Sequence, residues 1–284
     1  MPDFPIIDAH VHLYDPNAVR FDWMVDVPQL NKPHLPADFD AARGSVEVEA
    51  MVFAEVDAAD GAHLDEAKWV HDLMQRESRV KAMVASAPLE KGAAVEGDLA
   101  ALAALGHVRG IRRLIQGHVD EPGWCLRDGF VEAVQLLPRH GFSFDICIKH
   151  PQMADAIELV RRCPQVQFVL DHIGKPGIAA GLFEPWASQM KALAAFDNVS
   201  CKLSGVVTEA DHGAWTHAQV ISYVAHTLSC FGFDRVMFGG DWPVLELAGR
   251  YAQWVAVVDA AVAGETAENI LKLYRDNAVC IYRL

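Results

Sequence analysis

The sequence predicts a single (β/α)8 barrel of the TIM type over residues 1–284, on three observations. Eight short β-rich runs recur along the chain, helical patterns alternate with them, and the segments after strands are long while those before strands are short. An open, doubly wound sheet is the competing arrangement. No linker, low-complexity tract or internal repeat divides the chain, so one domain is the expectation.

The predicted strands are Pro5–His12, Glu49–Val56, Lys81–Ala87, Val108–Leu114, Phe142–Ile148, Val166–Asp171, Val199–Leu203 and Arg235–Gly239. They are rich in Val, Ile and Phe, as parallel strands buried on both faces tend to be. Helical spacing is found in His63–Glu77, Ala94–Leu105, Phe130–His140, Met153–Arg162, Trp186–Ala195, Ala218–Phe231, Tyr251–Ala263 and Ala267–Tyr282. Returns from helix to strand are brief, as in Glu77-Ser78-Arg79 and Arg139-His140-Gly141. Four segments that follow strands are long and contain Pro, Gly or Trp: Leu13–Pro36, Ile115–Asp128, Ile173–Pro185 and Ser204–Trp215. In a parallel barrel such loops, at the C-terminal ends of the strands, build the active face.

Composition narrows the function. The residues are 52% hydrophobic, enough for one large core, and 24 Lys and Arg against 38 Asp and Glu give a formal charge of -14. A chain this acidic lacks the basic footprint of a nucleic-acid binder and would be repelled by anionic lipid. The start of the chain has no secretory pattern, and the stretch Trp254–Ala263, interrupted by Asp259, falls short of the ~20 residues a membrane span needs. A soluble, cytoplasmic protein acting on a small molecule is expected. The six cysteines are far apart with no C-x-x-C pair, which favours buried free thiols.

The chemistry-bearing signal begins at Ile6-Ile-Asp-Ala-His-Val-His. Alternation along a strand points His10 and His12 the same way, about 6.6 Å apart. Two such imidazoles can hold one metal ion or one polarised carbonyl, and Asp8, on the same face, would orient His10 from below. A chance H-x-H on a solvated edge is the alternative. Phe168-Val-Leu-Asp-His-Ile-Gly carries apolar residues straight into Asp171 and His172, a polar pair uncommon at a buried strand end without a use. His172 is a ligand or a loop hydrogen-bonder. Val236-Met-Phe-Gly-Gly-Asp-Trp-Pro then puts Asp241 at the mouth, either as a functional carboxylate or as a helix cap. These motifs fall on strands one, six and eight. The first and last are neighbours once a barrel closes, so His10, His12 and Asp241 can meet.

With these motifs in place the sequence resembles the amidohydrolase superfamily along its whole length, from Asp8-Ala-His-Val-His to Asn277-Ala-Val-Cys-Ile-Tyr282. It is most similar to the amidohydrolase-related branch holding sugar lactonases of the L-fuconolactonase and L-rhamnonolactonase type. Gly110-Ile-Arg-Arg, Gly141-Phe-Ser-Phe-Asp, Leu170-Asp-His-Ile-Gly-Lys-Pro, Cys201-Lys-Leu-Ser-Gly and Phe238-Gly-Gly-Asp-Trp-Pro carry that closer likeness. The resemblance implies that His10, His12 and His172 surround a substrate carbonyl, with or without a divalent ion, and that Asp241 is the base that activates water. Two-metal members bridge their ions with a lysine carbamate or glutamate from the fourth strand. Here that region offers Arg112 and Arg113, which argues against a binuclear centre. His10, His12, His172 and Asp241 would suit one zinc with a position left open for water; relatives that work without metal leave the alternative of none.

Arg112 and Lys202 lie in strands where an unpaired charge is costly. Each is expected to contact substrate or to pair internally with Asp145, Asp171 or Asp8. His150, in Lys149-His-Pro, contacts substrate or sits in a surface loop, and Trp23 and Trp242 form an apolar wall against a sugar ring or pack in the core. His71, His107, His140, His217 and His226 fall away from the mouth. The expected reaction is opening of an aldonolactone, such as L-fuconolactone or a galactonolactone. The alternatives are a decarboxylase of the same superfamily, another ester or amide hydrolase, and a sugar-acid-binding barrel without catalysis.

Overall fold

The computed structural model describes residues 2–284. Eight parallel strands, in sequential order, form the sheet: β1 (Ile6–Val11), β2 (Val48–Ala54), β3 (Val80–Ser86), β4 (Val108–Arg112), β5 (Ser143–Ile146), β6 (Phe168–Leu170), β7 (Val199–Leu203) and β8 (Val236–Phe238). The seam between first and last strand closes just beyond β8. Asp241 N–H donates to the His10 carbonyl at 2.8 Å and His12 N–H to the Trp242 carbonyl at 2.8 Å. The predicted (β/α)8 barrel is the fold.

The outer layer consists of α1 (Pro36–Arg43), α2 (His63–Met74), α3 (Glu96–Ala104), α4 (Asp128–Leu136), α5 (Met153–Arg162), α6 (Trp186–Ala194), α7 (His217–Phe231) and α8 (Tyr251–Ala261). The expected closing helix Ala267–Tyr282 is three pieces: α9 (Ala267–Leu271), a π-helical turn (Lys272–Asp276) and α10 (Asn277–Tyr282). The first long loop also yields α1, begun by Pro36 in the first turn, where its missing N–H costs nothing, and by Asp38 accepting from Leu35 N–H. Strands β6 and β8 are shorter than predicted. His172 and Ile173 (φ +52° and +49°) break the ladder straight after Asp171, and Asp241 (φ +58°) does so past Gly240.

Two apolar clusters hold the layers. The larger lies between sheet and helices, with Phe53, Phe144, Phe168, Phe238 and Trp254 among its buried members. A smaller one fills the lower barrel with small side chains, Ile7, Ala9, Ala82 and Val84, plugged by Tyr282 from α10. No helix among the described residues is long and apolar enough to cross a membrane. All six cysteines are free; Cys125, Cys147, Cys163 and Cys201 are buried, whereas Cys280 is exposed, unlike the buried thiols expected.

Candidate active site

The floor of the barrel mouth is a layer of buried charge. Arg112 Nε donates to Glu55 Oε1 at 2.6 Å, and its Nη1 lies 3.2 Å from Asp171 Oδ2. Lys202 Nζ lies 2.7 Å from Asp145 Oδ2 and 3.1 Å from Asp171 Oδ1, and Tyr282 Oη–H donates to Asp145 Oδ2 at 2.6 Å. Burial alone would raise the Asp171 carboxyl, but Lys202 and His10 beside it hold it well below the usual carboxylate range. Burial would likewise lower Lys202, but Asp145 and Asp171 raise it, so it stays an ammonium. Both cations thus take the internal-pair alternative, with Glu55 a partner that the sequence reading did not name. Arg112 still lines the cavity above; Lys202, wholly buried, does not.

On this floor stand the rings. His10 Nδ1 lies 3.4 Å from Asp171 Oδ1 and 3.3 Å from Lys202 Nζ, and its Nε2 is 3.2 Å from His12 Nε2. Asp8 does not orient the His10 ring, as strict alternation had suggested. Its carboxylate accepts from the backbone N–H groups of His10 (2.9 Å) and Gly240 (2.8 Å) and from Tyr251 Oη–H (2.7 Å). The reason is a register slip between Asp8 and Val11, where β1 spends an extra residue against β2. A bulge of this kind re-aims the following side chain. Ile7 and Ala9 therefore face the lower core while His10 and His12 both reach the mouth.

Asp241 meets the rings from the seam. Its Oδ1 is 3.2 Å from His12 Nε2 and 3.6 Å from His10 Nε2, and its Oδ2 is 3.8 Å from His172 Nδ1. Burial would raise this carboxyl, but His172 and the contact with His12 take it far below the ordinary range. Burial, in turn, lowers His172 to about 4 and pushes His10 well down. At neutral pH these two rings are uncharged beside an ionised Asp241; a carboxylate this acidic is a weak base, so its use as a proton acceptor rests on its position among the rings rather than on basicity. Ser204, part of the Cys201-Lys-Leu-Ser-Gly run but given no role by the sequence, offers His172 Nδ1 a hydroxyl at 2.9 Å and a carbonyl at 3.1 Å.

Gly205 (φ +59°) makes room for this meeting. A Cβ there would overlap Asp241 Oδ2 and lie 3.0 Å from His172 Nδ1. Gly205→Ala is expected to lower kcat by about 100-fold, the usual result of shifting a reacting group by an ångström. Steady-state kinetics on a variant with an unchanged circular-dichroism spectrum checks this.

The donor set fits one divalent ion. His12 Nδ1 donates to the Ala54 carbonyl at 2.9 Å, which leaves the Nε2 lone pair facing Asp241 Oδ1 and the His10 ring. Arg112 Nη1–H faces His10 Nε2 at 3.3 Å, but His12 Nε2 and Asp241 Oδ1 are two acceptors 3.2 Å apart and call for a cation between them. The separations among His10 Nε2, His12 Nε2 and Asp241 Oδ1 are 3.2, 3.2 and 3.6 Å. Bonds of about 2.0–2.1 Å around a tetrahedral zinc give edges of about 3.3–3.4 Å. His172 falls in a second donor group, with His10 and Asp171.

A cavity of about 330 Å³ opens above, lined by His12, His172, Asp241 and Arg112, with Asp57, Gln116 and Lys175 as further polar groups. Tyr14, Trp23, Val27, Leu30, Val244 and Leu247 make much of its wall apolar. Trp23 thus stands in the wall, as one sequence reading had it. Trp242 instead packs edge-on to His34 and Phe39 in the core, and neither it nor His150 is among the lining residues.

Comparison with known proteins gives a consistent picture. A family model described as amidohydrolase matches residues 7–284. An L-fucono-1,5-lactonase of Burkholderia ambifaria is 34% identical over 259 residues, 88% of this chain and 85% of that protein. An L-rhamnono-gamma-lactonase of Scheffersomyces stipitis is 24% identical over 344 aligned positions, covering both chains completely. A crystal structure of an amidohydrolase from Burkholderia multivorans with bound zinc superposes with a TM-score of 0.85 at 25% identity, covering 99% of this chain and all of that one.

Proposed function

The chain belongs to the amidohydrolase family, and on that premise we propose that it hydrolyses a sugar lactone, such as L-fuconolactone or a galactonolactone, to the open-chain sugar acid. The observation that carries this reading is the ionised Asp241 set against His10, His12 and His172 at the mouth of a sugar-sized cavity. The lactonase names of the relatives from Burkholderia ambifaria and Scheffersomyces stipitis support it.

In this mechanism the lactone carbonyl enters among the imidazoles with Arg112 alongside. Asp241 removes a proton from water as the water oxygen bonds to the carbonyl carbon. The negative charge on the carbonyl oxygen is stabilised by the Arg112 guanidinium at the cavity wall, while His172, its Nδ1–H held by the Ser204 carbonyl, presents its Nε2 lone pair. Collapse breaks the bond to the ring oxygen, and the proton held by Asp241 passes to that oxygen. A divalent ion held by His10, His12 and Asp241 would supply Lewis-acid polarisation of the carbonyl.

A pH-indicator screen of aldono-1,4- and aldono-1,5-lactones, run with metal analysis of the same preparation, tests the proposal. Acid release from at least one of them is expected. Failure to open any lactone would overturn the reading, and release of carbon dioxide would move the chain to the decarboxylases.

A further inference from the structure

Past the end of β2 the chain turns over the barrel mouth through Glu55, Val56 and Asp57, and the first two are committed to structure. Glu55 holds Arg112. Val56 N–H donates to Glu66 Oε1 at 2.8 Å, and its carbonyl accepts Trp23 Nε1–H at 2.8 Å. Asp57 is different. Its N–H donates to Glu55 Oε2 at 2.7 Å, which fixes it at φ +56°, a conformation few residues with a side chain adopt and Asp tolerates better than most.

The Asp57 carboxylate lines the cavity, yet among the described residues it accepts no hydrogen bond and joins no ion pair. Both nearby guanidiniums are taken, Arg112 by Glu55 and Asp171 and Arg113 by Glu90. Burial, with the charge of Glu55 added, pushes Asp57 up to about 6, so it is ionised at neutral pH against resistance. A carboxylate held without a partner in a strained backbone at a cavity wall is a functional arrangement rather than a stabilising one. Donors must come from whatever enters the cavity.

The neighbourhood says what kind of donor. Trp23, tied to Val56, stands at the same wall, its indole N–H already spent, so only its ring is offered. An aromatic plane beside an open carboxylate suits a ring with apolar C–H groups and hydroxyls at its edge. We propose that Asp57 is a specificity-determining residue, accepting hydrogen bonds from ring hydroxyls of the lactone while Trp23 packs on its C–H face. This rests on the sugar-lactone reading and deepens it, because it assigns the selection for a hydroxylated ring to one side chain outside the reacting set.

The test compares wild type, Asp57→Asn and Asp57→Ala on two substrates: the aldonolactone that wild type opens fastest and the unsubstituted lactone of the same ring size. Asn accepts the left-handed backbone as readily as Asp, so that variant guards against misfolding, and thermal melts verify both. For the hydroxylated lactone, Asp57→Ala is expected to lower kcat/KM by about 10- to 100-fold, mostly through KM, as loss of a charged hydrogen bond would. Asp57→Asn should fall between, and the unsubstituted lactone should be opened equally by all three proteins. Equal losses on both substrates, or none on either, would overturn the assignment. A wild type that opens lactones without preferring hydroxylated rings sinks this inference alone; one that opens none sinks the sugar-lactone reading and this with it.

Discussion

Asp241→Asn is expected to lower kcat by about 10²- to 10⁴-fold, the usual contribution of a positioned base. The substitution keeps the local backbone but also removes a carboxylate from the donor set that fits a divalent ion, so metal content is measured beside kcat. Asn tolerates the φ of +58° that residue 241 adopts, and its amide can donate to the His12 Nε2 lone pair that now faces a carboxylate oxygen 3.2 Å away. The fold should be retained, with a melting temperature no lower than that of wild type. Turnover close to wild type would show that another group activates water.

The largest stability effect is expected from Lys202→Met. The methionine fills the space of the lysine stem but leaves Asp145 and Asp171 buried without their ammonium, 2.7 and 3.1 Å away in the native protein. Removing one partner of a buried ion pair costs about 3–5 kcal/mol, because the remaining charge is stranded. Burial already raises Asp145 even with Lys202 present. Without the lysine, folding would favour the protonated carboxyl, so the deficit should shrink as the pH falls. Urea melts at neutral and mildly acidic pH measure both. A loss below about 1 kcal/mol would mean that the charged floor relaxes or admits water.

Much of the architecture could be read from the chain because it depends on repeated local signals. Alternating β-rich and helical runs, with long loops after strands, favour a closed parallel barrel over the open sheet that competes with it, and closure is what brings His10 and His12 to Asp241. The departures have local causes that no periodicity reveals. A register slip between Asp8 and Val11 turned Asp8 from the His10 ring to the backbone of His10 and Gly240. The pairing of Arg112 with Glu55 joins residues 57 positions apart, and only the meeting of strands selects that carboxylate over the Asp8 and Asp145 considered beside Asp171. Ser204 lies inside the Cys201-Lys-Leu-Ser-Gly run, which assigns it no role, and Asp57 carries no motif; one matters through a contact with a ring, the other through a carboxylate that no protein group meets.

Tyr282 supports Asp145, Asp145 grips Lys202, and Lys202 abuts His10, so a segment near position 282 underpins a ring near position 10. The floor beneath the first histidine is therefore complete only once α10 has docked against the barrel. Elements from opposite ends of the described fold thus share one charged layer, and loosening α10 would be felt at the His10 ring through Asp145 and Lys202.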